Sequence, residues 1–119
     1  MLVTDELAIS RLEHVPTWFG IGGGADRFAA VRNAEQLRRA MEIDPALRVL
    51  GDGANLLVDD DGVAELVVKL EGELSEWTID PGKATVRVGA GANLPKLINE
   101  TVRQGLAGLE TLGGIPASV

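Results

Sequence analysis

The sequence predicts an α+β fold, because a strand–helix–strand alternation fills roughly its first 70 residues and a strand–turn–strand pattern with its own helix follows. At 119 residues the chain has room for one core or two small subdomains. Its 15 glycines against four aromatic residues require a backbone that turns tightly in several places. The expected division is a first subdomain over residues 1–70, entered through a loop, and the beginning of a second over residues 71–119.

His14 to Ala25 contains Pro16, Trp18, Phe19 and then Gly20, Gly22, Gly23 and Gly24, too broken for a helix and too flexible for a central strand. It reads as an entry loop with two aromatic anchors. Asp26 to Val31 follows as a short strand, and Asn33 to Ile43 as an amphipathic helix with Ala34, Leu37, Ala40 and Met41 on one face. Asn33 is its N-cap, with Gln36 in the capping-box position. Pro45 closes the helix, and Arg48-Val49-Leu50 runs as a strand into Gly51-Asp52-Gly53, which makes a right-handed βαβ unit the natural expectation. Leu66-Val67-Val68 is continuously apolar and reads as a third strand, buried on both faces. Leu74 to Ile79 and Thr85 to Val88 are strand-like and joined at Asp80-Pro81-Gly82-Lys83, where Pro and Gly in the central positions suit a type II turn. The second helix starts after Asn93, carries Pro95 in its first turn, and would bury Leu94, Leu97, Ile98 and Val102 before stopping at Gly105.

Composition narrows the function. With 18 acidic and 11 basic residues the formal charge is -7, so no field draws in a nucleic acid or an anionic membrane, and neither is expected as a partner. Any phosphate must be held by local geometry. The chain lacks cysteine, which excludes thiolate metal sites and cysteine nucleophiles and suits a reducing compartment. Asp5 and Glu6 stand where a signal peptide needs basic residues, and no apolar run approaches ~20 residues, so a cytoplasmic location is expected. His14 has no carboxylate or nucleophile beside it, Asp59-Asp60-Asp61 before Gly62 reads as a solvated turn and not a metal loop, and Trp18 and Trp77 read as packing residues.

The glycine loops carry the functional signal. Gly20 to Ala25 matches the letters of a dinucleotide fingerprint but precedes a strand instead of following one, and Gly89-Ala90-Gly91 lacks the third glycine. Gly51-Asp52-Gly53-Ala54-Asn55-Leu56-Leu57 follows a buried strand, where two glycines allow successive backbone N–H groups to converge on a pyrophosphate. The residues alone leave that nest and a plain glycine turn both open. If it is a nest, a side chain at Gly53 should cost ligand affinity more than folding. The last loop, Gly108 to Val119, is apolar and glycine-rich.

Taken in order, Thr17 to Gly23, Leu50 to Leu57, Val88 to Gly91, and Gly105 to Glu110 with Gly114-Ile115-Pro116 resemble the UDP-N-acetylenolpyruvoylglucosamine reductase family over nearly the whole chain from His14. The resemblance implies an FAD-binding fold of the vanillyl-alcohol-oxidase type, with flavin between two α+β subdomains. It implies an NADPH-dependent flavoenzyme of peptidoglycan synthesis whose substrate is a nucleotide sugar, and of which this chain is the N-terminal part. The cofactor-binding residues it implies are Gly51, Asp52, Gly53, Ala54, Asn55, Leu56, Gly113, Gly114, Ile115, Pro116 and Ser118. Two positions depart from the pattern: Ala54-Asn55 where the family often has Ser-Asn, and Ala117-Ser118 where it often has Gly-Thr. Family catalytic groups lie beyond Val119, so no catalytic residue is assigned, and the chain alone is expected to be inactive and to self-associate through its apolar tail. A non-catalytic flavin or nucleotide-binding module, or another oxidase of the same fold, is the alternative.

Overall fold

The computed structural model describes residues 6–119, so Asp5 lies outside the described residues. Its larger sheet contains β1 (Ser10–Leu12), β2 (Ala25–Val31), β3 (Arg48–Leu50) and β4 (Val67–Leu70), in spatial order β1-β2-β4-β3. β4 is parallel to both β2 and β3, and β1 pairs antiparallel with β2. The strand–helix–strand alternation is therefore present, but β4 has slipped between the two strands it joins. Burial explains the order: Leu66, Val67 and Val68 are all buried, so β4 needs a neighbour on each side, whereas β3 is short and exposes Arg48 and Val49, which suits an edge. The short β1 lies in a stretch from which no strand was expected.

The sheet is covered differently on its two faces. On one, α1 (Ala34–Ile43) packs Leu37 and Ala40 against Ala29, Val31, Leu66 and Val68. On the other, loops bring Val15 and Val58 onto Ala25, Leu50 and Val67. Each fully buried Leu or Val in these clusters contributes roughly 1.5–3 kcal/mol relative to exposure. Asn33 caps α1 by accepting from the Gln36 N–H at 2.8 Å. Gln36 reaches back to the N–H of Arg32 at 2.8 Å, one residue earlier than a standard capping box, and so ties β2 to the helix. At the other end Asp44 accepts from the N–H groups of Leu66 and Ala46, each at 2.9 Å, and from Arg27 at 2.7 Å, clipping β2, α1 and the start of β4 together. Those contacts, the Leu66 N–H foremost, hold its carboxyl below the usual range.

The smaller sheet is the expected antiparallel hairpin, β5 (Trp77–Asp80) with β6 (Thr85–Val88). Leu74 does not belong to it: Gly72–Ser75 forms a 3-10 turn, fastened to the first sheet by Glu71 N–H to Val31 and Glu73 N–H to Arg32. The connection is not a type II turn on Asp80 to Lys83. Pairing of Asp80 with Thr85 leaves four residues to span, the turn shifts to Pro81 through Ala84, and the left-handed residue is Ala84, with φ 51°, instead of Gly82.

α2 (Leu94–Arg103) begins at Asn93, whose side chain accepts from the Lys96 N–H at 2.9 Å. It ends in a Schellman motif, with Gly105 N–H donating to Val102 and Leu106 N–H to Thr101. Both helices bury a narrower stripe than their apolar residues suggest. In α2 the stripe is Leu94, Leu97, Ile98 and Thr101, the last satisfied by its hydroxyl donating to the Ile98 carbonyl at 2.8 Å, and Val102 falls outside it. In α1 Gln36, Leu37 and Ala40 face inward while Ala34 and Met41 are exposed. Residues i+3, i+4 and i+7 share a face, and i+8 already turns away when the layer beneath is thin. After α2 a second 3-10 turn, Leu109–Leu112, leads into the tail.

Candidate functional site

β3 and β4 are parallel and end side by side, and the C-terminal ends of parallel strands are where open α/β sheets place ligands. From Leu50 the chain turns at Gly51-Asp52-Gly53 and runs outward through Ala54, Asn55 and Leu56. The tail comes to the same place from the other sheet: Leu94 N–H donates to Ala117 at 2.9 Å and Val119 N–H to Ala92 at 3.0 Å, so Ser118 sits opposite Asn93 at the start of α2. Loop and tail approach so closely that a Cβ on Gly51 would stand 2.7 Å from the Ser118 hydroxyl oxygen.

Between them is a cleft of ≈ 500 Å³. Of the residues expected to hold the cofactor, all but Gly113 and Gly114 line it, and Val49 and Ala117 complete the wall. Gly113 and Gly114 lie further back, where Gly113 N–H donates to Glu110 at the end of the 3-10 turn. Among the described residues, none of the backbone N–H groups from Asp52 to Leu57 donates a well-formed hydrogen bond. N–H donors left free along a glycine loop beside a cleft are compatible with holding an anion such as a dinucleotide's diphosphate. Asp52 and Asn55 are both exposed and both line the cleft.

Gly53 behaves otherwise than its place in the nest suggests. It is buried, has φ +72°, and its carbonyl accepts from the Trp18 N–H at 3.0 Å. A Cβ there would meet the Pro16 carbonyl oxygen at 2.5 Å and the Thr17 Cα at 3.0 Å. The space beside Gly53 is thus filled by the entry loop, so a side chain there disturbs folding directly, which runs against the expectation that folding would suffer the smaller effect. The entry loop does reach this site, but by backbone. Its rings are not anchors: Trp18 is 64% and Phe19 61% exposed.

The other glycine loops are packing devices. Added Cβ atoms at Gly22, Gly24, Gly89 and Gly91 would come within 2.5 Å or less of the carbonyl oxygens of Val58, Leu12, Leu74 and Leu70. His14 is exposed. Asp59 accepts from the Asp61 N–H at 2.8 Å and from the Gly62 N–H at 2.9 Å, which makes the acidic run a turn closed on itself. Among the described residues no cluster of three or more His, Asp or Glu could hold a metal, and no helix is long and apolar enough to cross a membrane.

One residue of this region was missed from sequence: Lys69, whose ammonium donates to the Gly51 carbonyl at 3.3 Å. Its signal was a lone cation at the end of the apolar run Leu66 to Leu70.

Comparison with known proteins matches this geometry. The chain is 47% identical to a UDP-N-acetylenolpyruvoylglucosamine reductase of Thermus thermophilus, over 87% of this chain and 36% of the relative. It is 44% identical to reductase 2 of Symbiobacterium thermophilum, over 99% of this chain and 40% of that one. The crystal structure of the UDP-N-acetylenolpyruvylglucosamine reductase from Thermus caldophilus superposes with a TM-score of 0.73 at 42% identity, covering 95% of this chain and 40% of that one. The chain therefore spans 36% to 40% of the length of these relatives. The family model described as an FAD binding domain matches residues 25–119, and the chain belongs to that FAD-binding family.

Proposed function

We propose that this chain supplies the FAD-binding part of a cytoplasmic, NADPH-dependent reductase of UDP-N-acetylenolpyruvoylglucosamine, a nucleotide sugar of peptidoglycan synthesis. The observation that carries the cofactor assignment is the cleft between the glycine loop, Gly51 to Leu56, and the tail, Ile115 to Ser118. In this reading the loop's N–H groups bind the diphosphate, and the two sheets correspond to subdomains over residues 1–70 and 71–119. The identities to reductases support the substrate class. FAD, when bound, supplies hydride transfer between a nicotinamide and a carbon–carbon double bond. The residues here bind and orient it: Ala54 and Asn55 at the phosphate end, Ile115 and Pro116 along one wall, and the Ser118 hydroxyl between tail and loop.

The test is a titration of FAD against the chain, followed by quenching of flavin fluorescence. Saturable binding is expected, and ADP, which shares the diphosphate, should compete. Ala54→Ser should strengthen binding by adding a hydroxyl donor, and Ala54→Asp should abolish it through charge repulsion. If neither substitution changes the affinity, the nest does not hold the diphosphate. NADPH-dependent turnover by the chain alone is not expected, and a measurable rate would overturn its role as a binding part.

A further inference from the structure

A row of N–H groups supplies donors but no net charge, and this chain carries a formal charge of -7 with the Asp52 carboxylate at the cleft. A dinucleotide's diphosphate adds two more negative charges to that place. Only a nearby cation can add to the nest's attraction, since beyond about 8 Å physiological salt screens the contribution of distant ones. No cationic side chain lines the cleft itself among the described residues, but Lys69 lines the adjoining ≈ 190 Å³ gap, which shares Val49, Gly51, Asp52 and Ser118 with the cleft, and is the only cation there.

Its position in the fold explains how it gets there. Lys69 pairs with Leu50 in the parallel ladder, at the last full rung before the loop. A long unbranched stem on β4 can therefore pass the end of β3, and the ammonium arrives 3.3 Å from the Gly51 carbonyl. The side chain is half-buried, so its charge is less screened than that of a surface lysine. An ammonium has three N–H donors, and among the described residues only one of them is used, on Gly51. The gap it lines also reaches Ser118, so the charge sits where loop and tail meet.

Resting on the FAD reading above, we infer that Lys69 is a diphosphate-binding residue: its ammonium fixes the Gly51 carbonyl and presents its spare N–H donors and its charge to the phosphates. It thereby makes the site selective for dinucleotide over uncharged flavin. The nest supplies shape and Lys69 supplies the electrostatic attraction. Arginine would retain the charge, whereas methionine and glutamine would retain much of the stem without it.

The test compares wild type, Lys69→Gln, Lys69→Met and Lys69→Arg in the 119-residue chain. FAD and riboflavin affinities are measured by fluorescence at several salt concentrations, and folding by far-ultraviolet circular dichroism. The expected result is about a tenfold loss of FAD affinity in the Gln and Met variants, with riboflavin affinity unchanged and the salt dependence of FAD binding shallower. Lys69→Arg should stay within about threefold of wild type. FAD affinity unchanged in both neutral variants, or FAD and riboflavin losing equally, overturns the inference while leaving the FAD reading intact. A wild-type chain that binds neither flavin overturns both.

Discussion

Replacing Gly53 by alanine separates what the backbone conformation contributes from what close packing contributes. With φ +72°, residue 53 is in the left-handed region, where a Cβ costs roughly 1–2 kcal/mol. The same Cβ would press on the Pro16 carbonyl oxygen from 2.5 Å and on the Thr17 Cα from 3.0 Å, and both are backbone atoms that move only if the entry loop moves. Displacing that loop endangers the Trp18-to-Gly53 hydrogen bond, whose net worth is about 1 kcal/mol. The total is about 3 kcal/mol, a large part of the 5–15 kcal/mol that stabilises a typical domain. Gly20 is the control: its φ is +67°, and nothing lies within 4 Å of an added Cβ, so Gly20→Ala carries the conformational cost alone. Gly51→Ala is a second control with the opposite bias, since its Cβ would meet only the Ser118 hydroxyl, the end of a side chain that can rotate away. Urea unfolding followed by circular dichroism should rank the losses Gly53→Ala, then Gly20→Ala, then Gly51→Ala, with about 1 kcal/mol or more between the first two. Equal losses at Gly53 and Gly20 would refute the claim that the entry loop packs under the nest.

Three further outcomes are expected. Ala84→Gly should stabilise the chain by up to about 1 kcal/mol, seen as a higher urea midpoint, because φ 51° costs alanine what it does not cost glycine. The Asp44 carboxyl is depressed in the folded state, chiefly by the Leu66 N–H, so its contribution is present above the unfolded value of 3.8 and is lost as pH falls through the lower folded value; stability measured across that acid range should fall less steeply in Asp44→Asn. Light scattering should show association that grows with concentration, because Trp18, Phe19, Ile21 and Leu57 present apolar surface to solvent, and a monomer at every concentration would count against this.

Most of the secondary structure was legible because it is set locally. Asn33 and Asn93 cap helices wherever they precede an apolar stripe, and Gly105 ends one because a left-handed residue closes the Schellman bonds. What sequence could not supply was set by distant partners. β4 became the central strand because Leu66, Val67 and Val68 are buried on both faces, and nothing within the run says which strands will flank it. The hairpin loop moved by one residue because the register of Trp77 with Val88 left four residues to span, and that register outweighed the local preference of Pro81-Gly82.

The candidate site divides in the same way. Gly51 and Gly53 look equivalent in the sequence, as two glycines of one loop, yet they face different neighbours: Gly51 meets the tail at Ser118 and Gly53 the entry loop at Pro16. Each neighbour lies far off along the chain, so only the closed fold shows that, of two glycines at the cleft, one is packed against the tail and the other against the entry loop. The proposed charge logic follows from that closure. A chain this acidic has no general attraction for phosphate, so in the proposed reading the diphosphate is met by the N–H groups of the loop from Asp52 onward and by the one cation that reaches the Gly51 carbonyl. Parallel pairing of β3 with β4 provides both at once. It ends the two strands at the same level, so that the loop leaving Leu50 and the side chain of Lys69 share one end of the sheet.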